Sequence, residues 1–551
     1  MKPKVVLWLL LLSVLAFPFP VFGQDAAQQA GPKLDTGDTA WMLTSTALVL
    51  MMTIPGLALF YGGLVRSKNV LSTLMHSFFC AGLVGVTWVL FGYSLAFGPD
   101  KAGGLIGGLE HVGLRGILGT TSALAPTIPH MLFVMYQATF AIITPALISG
   151  TFAERMRFPA FALFTLLWST FIYAPLAHWV WGGGWIATHI GALDFAGGTV
   201  VHISSGVSAL VTAVYLGKRL GHGHESMPPH NLALTVVGAS LLWVGWFGFN
   251  AGSAVASNEL ASVAFVNTNT AAAAAALGWL LVEAIRGGKP TMLGVASGAV
   301  AGLVGITPGA GFVTPLAAIA IGLLAGVVCY AAVSLKPRIG YDDALDVVGV
   351  HFVGGTLGAL ATGIFATSLI NPAIPTLSLG LGGGLLYGEP VLLLKQLVAV
   401  VATIVFAGGG TLGILVVVNA VTRLRAGQDE EILGLDLSQH SERAYAVASG
   451  EEIAFIGLRE PRPASIPPVV GGRFNVVLSG VEPTAMIERW RAMCQNGKVP
   501  ATPEFKLVYS HLSTLRGSTF RFRGGDREQI RRSLEGLFKT MAPAATAKVA
   551  E

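Results

Sequence analysis

Two segments that combine a carboxylate with a histidine stand out in a chain that is otherwise strongly apolar. Asp194 precedes His202, and Asp346 precedes His351, each by one to two helical turns. Ionisable side chains inside apolar segments are rare and usually functional. Two facing imidazoles can share a proton, so each offers a donor or an acceptor within an apolar passage. His202 and His351 are therefore the first candidate site.

Zinc binding is the rival use of paired histidines. A zinc site needs a third protein ligand, and no convincing one accompanies His202 and His351. The three cysteines, at positions 80, 329 and 494, are too far apart to indicate a disulfide framework or a zinc site. We therefore expect no metal and no other cofactor. No pair of a nucleophile and a general base is evident in the sequence, so the sequence does not indicate an enzyme.

The acidic residues have structural as well as functional interpretations. Asp194 lies where a helix is expected to begin, so its carboxylate can cap the free N–H groups. Its negative charge would also favour a cation at the mouth of a passage, and both roles can hold. Asp346 is expected to be mainly structural, and Asp342 and Asp343 are candidate helix caps.

Aromatic residues form a second group of candidate site residues. Trp181 begins a Trp-Gly-Gly-Gly run, Tyr136 and Phe140 share one segment, and Phe249 is followed by Ser253. A tryptophan face next to a hydroxyl suits a small cation through cation–π attraction. Phe140 and Phe249 are expected to form an apolar constriction that excludes hydrated ions.

Composition shows what must position these residues. The chain has 551 residues, of which 53% are hydrophobic and 11% charged, and its mean hydropathy is +0.67. Soluble domains are about 25% charged, so a soluble single-core enzyme is excluded. A net charge of +5 without a basic block in the apolar region excludes a nucleic-acid binder. The 70 glycines favour closely packed membrane helices.

Eleven apolar runs are long enough to be transmembrane helices. Eleven is five plus five plus one, and a repeat of five helices must be inverted relative to its copy. Inverted repeats bind substrate between their halves, and His202 and His351 fall on spans five and ten. The predicted spans are 40–64, 70–97, 128–153, 158–180, 197–217, 231–257, 265–285, 291–309, 313–335, 344–369 and 390–422.

Basic residues orient the spans. Twelve Lys and Arg residues lie in alternate gaps, whereas Lys101 and Arg115 are the two in the other gaps. This asymmetry predicts that the N-terminus is outside and the C-terminus cytoplasmic. Lys2 and Lys4 precede a short apolar run, which predicts a secretory signal peptide over residues 1–23.

The motifs together resemble the ammonium transporter (Amt/Mep/Rh) family. The resemblance rests on Asp194-Phe-Ala-Gly-Gly-Thr-Val-Val-His202, on Asp-Asp-Ala-Leu-Asp-Val-Val-Gly-Val-His351 and on Gly-Phe-Asn-Ala-Gly-Ser253. It covers roughly residues 36–446, and Trp181 makes the chain similar to the Amt branch. The resemblance implies an all-α homotrimer in the plasma (inner) membrane, with one narrow pore in each subunit.

The resemblance also implies roles for single residues. Trp181, Phe140, Ser253 and Asp194 resemble the outer recruitment site, with Asp194 needed for recruitment or deprotonation. Phe140 and Phe249 resemble the stacked gate, to which Tyr136 would contribute the outer ring in place of a phenylalanine. His202 and His351 resemble the twin histidines of the pore.

These roles imply a channel or transporter for ammonium. An unpaired charge in an apolar pore costs several kcal/mol or more, so deprotonation at the mouth would let ammonia pass and reject potassium. The proton either returns outside or crosses separately along the histidines. The rival hypothesis is an ammonium sensor that signals through its C-terminal domain. The expected partners are ammonium, lipid, other copies of the chain and a PII-type nitrogen regulatory protein, without nucleic acid.

The charge density divides the chain into regions. Residues 39–422 are about 6% charged and residues 426–551 about 25%, which is the soluble norm. We predict a membrane domain over 36–425, a cytoplasmic regulatory segment over 426–446, a Pro-rich linker over 447–470 and a small α+β domain over 471–542. Within that domain we expect strands near 474–478, 505–510 and 518–523 and helices near 484–494 and 527–541.

Overall fold

The computed structural model describes residues 33–445 and several pieces of the C-terminal region. Those pieces are residues 473–479, 508, 512–516, 519–523, 527–539 and 546–550. The predicted signal peptide, linker and helix 484–494 lie outside the described residues, and so does the predicted strand 505–510 apart from residue 508.

Ten helices in the described residues are long and apolar enough to cross a membrane. They are α1 Thr36–Leu64, α2 Val70–Phe97, α3 His130–Phe152, α4 Phe158–Val180, α5 Gly198–Leu216, α6 Leu232–Ala254, α7 Glu259–Ile285, α9 Pro315–Ile339, α10 Val348–Phe365 and α11 Pro390–Val421.

The predicted span 291–309 is shorter in the structure. Helix α8, Met292–Ile306, has 15 residues and is therefore about 22 Å long, against about 30 Å for a hydrocarbon core. Thr307 and the following residues form turns instead of helix. Ten full-length helices, not eleven, thus meet the length criterion within the described residues.

Polar side chains set the starts of five of these helices. Asp35, Asn231, Asn258, Thr291 and Thr314 each accept a hydrogen bond from the backbone N–H three residues later. Such N-caps satisfy donors that have no partner within the helix. The boundaries of α1, α6, α7, α8 and α9 are therefore encoded locally.

Short π-helical segments interrupt the regular α-helix at several points. Gly198–Ile203 opens α5 and Val348–Phe352 opens α10. A π-helical turn is wider than an α-helical one and changes the direction in which side chains point. His202 and His351 lie in these two segments, at equivalent places on the fifth and tenth predicted spans.

Small residues allow α7, α8 and α9 to pack closely. A Cβ atom added at Gly302 or Gly322 would collide with the carbonyl oxygen of Ala271, and one added at Gly326 with that of Ala275. Backbones approach this closely in membranes only where the interface residues are small. The glycine content is thus explained in part by this three-helix contact.

Two short helices, α12 Gln428–Leu433 and α13 Leu435–His440, follow the membrane helices. Asp436 accepts hydrogen bonds from the backbone N–H groups of Leu71 and Ser72, at 3.1 and 2.8 Å, in the first turn of α2. Lys68 donates through Nζ to the carbonyl oxygen of Glu431 at 2.7 Å. The predicted regulatory segment is therefore attached to the start of α2.

The chain divides into two compact units, Met1–Ala448 and Ser449–Glu551. The second unit contains β1 Arg473–Ser479, β2 Leu512–Arg516, β3 Thr519–Arg523, α14 Arg527–Lys539 and β4 Thr546–Ala550. The strands form an antiparallel sheet in the order β2-β3-β1-β4. Ile530 and Leu534 on α14 are buried. Strand β4 lies beyond residue 542, where the predicted domain ended.

Candidate functional site

The two histidines meet in the interior of the helical unit. Nδ1 of His202 lies 3.2 Å from Nδ1 of His351, and the ring planes differ by 21°. The residues are 1% and 4% exposed. A hydrogen bond at this distance requires that one ring donate and the other accept. The structure thus brings together two residues that the sequence separates by 149 positions.

Helix α6 covers one side of this pair. Trp246 stacks on His202 with ring centroids 5.5 Å apart, and Phe249 does so at 6.0 Å. Nε1 of Trp246 donates to Oγ1 of Thr307 at 2.9 Å, which fixes the indole ring. Sequence reasoning missed Trp246. Its position three residues before Phe249 places both on one helix face, which is the signal that identifies it.

The space around the histidines is lined almost entirely by apolar side chains. An isolated charge placed there would lose its hydration without gaining a counter-charge. The lining residues besides His202 and His351 are Met52, Leu57, Phe60, Ile143, Leu147, Val201, Leu242, Trp246, Phe249 and Val300. A small neutral molecule that forms hydrogen bonds suits this cavity better than a bare cation does.

Next to the histidines, the aromatic rings of Tyr136, Phe140 and Phe249 are in contact with one another. The centroids of Phe140 and Phe249 are 4.4 Å apart, and those of Tyr136 and Phe140 are 5.1 Å apart. All three side chains are buried. The Tyr136 hydroxyl donates to the carbonyl oxygen of Gly248 at 3.0 Å and lies 3.2 Å from Oγ of Ser253. Tyr136 therefore ties α3 to the end of α6.

Trp181 lies on the other side of Phe140. Its ring meets that of Phe140 edge-on, with centroids 5.9 Å apart and planes at 81°. Nε1 of Trp181 donates to the backbone carbonyl of Asp194 at 3.0 Å. Ser253 donates through Oγ to the carbonyl oxygen of Phe249 at 2.8 Å. The residues predicted for recruitment therefore form one continuous chain of contacts with Phe140 and Phe249.

The carboxylate of Asp194 accepts hydrogen bonds from backbone N–H groups at the start of α5. Oδ1 accepts hydrogen bonds from the N–H groups of Gly197 and Gly198, at 2.8 and 2.7 Å. Oδ2 accepts from the N–H of Thr199 at 2.7 Å and also from the Thr199 hydroxyl. Gly197 has φ of 117°, which glycine adopts readily. The capping interpretation thus has direct geometric support.

The aspartates before α10 differ in their partners. Oδ2 of Asp343 accepts a hydrogen bond from the N–H of Val348, as expected of a cap. Asp346 forms an ion pair with Lys336 at 2.5 Å. Asp342, in contrast, pairs with Arg219 at 2.9 Å. The expectation that Asp342 caps a helix was therefore wrong, because a guanidinium from the α5–α6 loop reaches it.

Arg219 is the centre of a buried charge cluster that sequence reasoning did not predict. Besides Asp342, it contacts Oε2 of Glu154 at 3.0 Å, and Arg66 contacts that same oxygen at 2.8 Å. His222, in the loop between α5 and α6, also contacts Asp342 at 3.2 Å. Burial raises the pKa of Asp342, but the hydrogen bonds and charge of Arg219 outweigh burial and lower it below its usual range. The basic residues that indicated orientation therefore also join the ends of the helices.

Paired histidines bind a metal ion when a third ligand lies close to them. Within residues 33–445 and the described pieces of the C-terminal region, no three His, Cys, Asp or Glu side chains lie close enough to hold a metal ion. The pair of His202 and His351 therefore lacks a third ligand in this part of the chain.

The helices and the buried pair define a multi-pass membrane protein of the α-helical class. Residues 40–445 match the Ammonium Transporter Family, and the chain belongs to this family. It is 56% identical over 413 residues to the ammonium transporter of Bacillus subtilis (strain 168), covering 75% of this chain and 99% of that protein.

Solved structures agree with this assignment. The chain is similar to the crystal structure of Saccharomyces cerevisiae Mep2, with a TM-score of 0.67 and 37% identity, over 72% of this chain and 89% of that one. A structure described as a sensor Amt protein has a TM-score of 0.66 and 28% identity, over 73% of this chain and 98% of that one.

Proposed function

We propose that this protein carries ammonium nitrogen across the membrane as an ammonium channel or transporter. The observation that carries the proposal is the buried contact of His202 with His351 inside an apolar cavity. Family membership supports it, since the relative from Bacillus subtilis is named an ammonium transporter.

The mechanism proposed here begins at Trp181. An ammonium ion binds its indole face by cation–π attraction, next to Phe140, with Ser253 and Asp194 supplying polar groups. The ion gives up its proton at this mouth, because the charged form is costly in the cavity beyond. Ammonia then passes between Phe140 and Phe249 and along the two histidines. Potassium has no proton to lose and stays outside.

Flux into proteoliposomes with a clamped proton gradient tests this function. Full-length protein is expected to carry ammonium and methylammonium while excluding potassium. Charge movement coupled to flux would mean that the proton crosses separately, along His202 and His351. Electroneutral flux would mean that it returns outside. Binding of ammonium without any flux would contradict the proposal and favour the sensor function.

We also propose an arrangement of the helices across the membrane. We propose that α8 is the short eighth of eleven crossings, since it packs against both of the long helices α7 and α9. The N-terminus would then be outside, after removal of residues 1–23, and the C-terminus cytoplasmic, with the two groups of five helices related as inverted repeats. The chain is proposed to form a homotrimer, and residues 471–542, extended to β4, a small α+β domain.

Replacing Trp181 tests the recruitment step. Trp181→Leu removes the cation–π face, so we expect the half-saturating ammonium concentration to rise by up to about 30-fold, or about 2 kcal/mol for a desolvated site. The maximal rate should change little. The measurement is the concentration dependence of flux in proteoliposomes.

Two further variants separate recruitment from general packing. Trp181→Phe keeps an aromatic face but removes the hydrogen bond to Asp194, and is expected to lie between the leucine variant and the unchanged protein. Trp185→Leu is the matched control, since Trp185 packs on Trp179 instead of Phe140. Identical concentration dependence for Trp181→Leu and the unchanged protein would rule out the recruitment role.

Truncation after residue 450 tests the independence of the C-terminal unit. The two compact units divide at Ala448, and every proposed pore residue lies before that point. We therefore expect trimer assembly and basal flux to persist, since conduction requires only groups that line the pore. Flux per trimer is compared between the truncated and full-length chains in identical liposomes. Loss of basal flux from a stable truncated trimer would show that this unit is part of the transport machinery.

We also propose that the protein has a regulatory partner. A cytoplasmic domain changes an open–closed equilibrium only through contacts that differ between the two states. Purified PII-type proteins are added to liposomes that contain either the full-length or the truncated chain. We expect them to change the flux through the full-length chain, and we expect this change to be absent or different in the truncated chain.

A further inference from the structure

His178 is a fully buried histidine that the proposed transport steps do not use. It lies in the last turn of α4, three residues before Trp181. Its Nδ1 lies 3.0 Å from the carbonyl oxygen of Ala96, at the end of α2, and its Nε2 lies 3.4 Å from Oδ1 of Asp100. The ring therefore connects the end of α4 to the end of α2 and the loop that follows it.

Both partners of this ring are hydrogen-bond acceptors. A carbonyl oxygen has no proton to donate, and an ionised carboxylate is also acceptor-only. The Gly104 N–H donates to the same Oδ1 of Asp100 at 2.8 Å and lowers the pKa of that carboxyl, which favours its ionised form. A neutral imidazole has one N–H and satisfies one of the two partners, whereas an imidazolium satisfies both. A helix C-terminus also favours a positive charge.

The backbone carbonyl of His178 accepts the hydrogen bonds that close the turn containing Trp181. The backbone N–H groups of Gly182 and Gly184 donate to the His178 carbonyl oxygen, at 3.1 and 2.8 Å. A Cβ atom at residue 182 would come within 2.9 Å of Nδ1 of His178 and would collide with the carbonyl oxygen of Ala96. The imidazole ring thus lies directly beneath the glycine turn, and its position determines where Trp181 is held.

We propose that His178, as a buried imidazolium paired with Asp100, is a positioning residue that holds Trp181 in place for ammonium recruitment. Without the ring, both of its hydrogen bonds are lost and the turn loosens. This inference rests on the proposed transport function. It predicts that replacing His178 lowers ammonium affinity while the maximal rate is retained.

Other titratable groups occur on the elements around this ring. Among the titratable residues that the structure describes, Asp100 is the one whose side chain contacts the His178 ring in a hydrogen bond or ion pair. The others on the adjoining segments are Tyr93, Lys101, Glu110, His111, His189, Asp194 and His202. Lys101 and Glu110 pair with each other at 2.8 Å, which leaves Asp100 as the counter-charge of the ring.

The half-saturating ammonium concentration and the maximal rate of flux test this role together. His178→Ala removes the ring and its hydrogen bonds, so the half-saturating concentration should rise by roughly threefold to tenfold while the maximal rate is retained. His178→Gln keeps a side-chain donor and should restore part of the affinity. The matched control is His189→Gln, an exposed histidine whose loss should leave both values unchanged.

The protonation state is measured directly by nitrogen NMR on the full-length protein with labelled histidine. The signals that disappear in His178→Gln belong to His178, and both ring nitrogens should carry a proton because both face acceptors. A single protonated nitrogen, or an unchanged half-saturating ammonium concentration in His178→Ala, would overturn the proposal. If no protein, including the unchanged one, carries ammonium, the transport function fails, and the NMR result still decides the charge of His178.

Discussion

Replacing both pore histidines with alanine is expected to reduce ammonium flux by about tenfold or more while the protein stays folded. Loss of roughly 1.4 kcal/mol of stabilisation along the path has this effect, and it corresponds to losing one hydrogen bond from each passing ammonia molecule. His202 and His351 supply these polar contacts in a cavity that is otherwise apolar. Flux and potassium leakage are measured in the same proteoliposomes.

Two comparisons make the histidine result specific. His202→Asp introduces a carboxylate and is expected to preserve conduction while admitting potassium, because a fixed negative charge stabilises any small cation. His76→Ala is the control, since His76 is a buried histidine of α2 that packs on Phe161 with centroids 4.3 Å apart. It should lower stability without changing selectivity. Normal flux and potassium exclusion in the folded double alanine variant would refute the central role of the pair.

Asp194→Ala is expected to cost about 2–4 kcal/mol of stability and to abolish most of the flux. The carboxylate accepts hydrogen bonds from Gly197, Gly198 and Thr199, and hydrogen bonds to a charged group contribute about 1.5–3 kcal/mol each, though not additively. Their loss loosens the first turn of α5, which carries His202. Thermal unfolding in detergent and flux in liposomes measure the two effects.

Asp194→Asn separates the cap from the charge. The amide oxygen still accepts from two backbone N–H groups, so stability should fall by less than in the alanine variant. If the negative charge recruits or deprotonates ammonium, flux should nevertheless fall as far as in Asp194→Ala. Asp35→Ala, at the N-cap of α1, controls for simple cap loss and should cost about 1 kcal/mol with unchanged flux. Flux that follows stability across all these variants would restrict Asp194 to a structural role.

The predicted spans and the observed helices agree closely in place because both depend on local properties. Apolar runs of about 20 residues have few alternatives to a membrane helix, and capping residues such as Asn231 and Thr314 mark their starts. The length of α8 was not predictable in this way. Its apolar run continues to residue 309, but the helix ends at Ile306, and Thr307 and the following residues form turns.

The candidate residues were predictable as types, whereas their contacts were not. The occurrence of an aspartate before a histidine on the fifth and the tenth span singled out His202 and His351, yet their 3.2 Å contact depends on how α5 and α10 cross. The π-helical segments that carry both residues have no signature in hydropathy. Trp246 was missed because a tryptophan in an apolar helix is ordinarily interpreted as core or interface.

Charged and polar residues show most clearly which features can be predicted from the sequence and which depend on the folded structure. Composition and spacing are properties of the linear chain, so they were sufficient to predict a membrane protein with a charged C-terminal region, candidate pore residues and an orientation. The contacts of Arg219 with Glu154 and Asp342, and that of His178 with Ala96, became evident in the folded chain. A buried charge or hydrogen bond is favourable when its partner lies within about 3 Å, and in these cases the partner comes from a distant part of the chain.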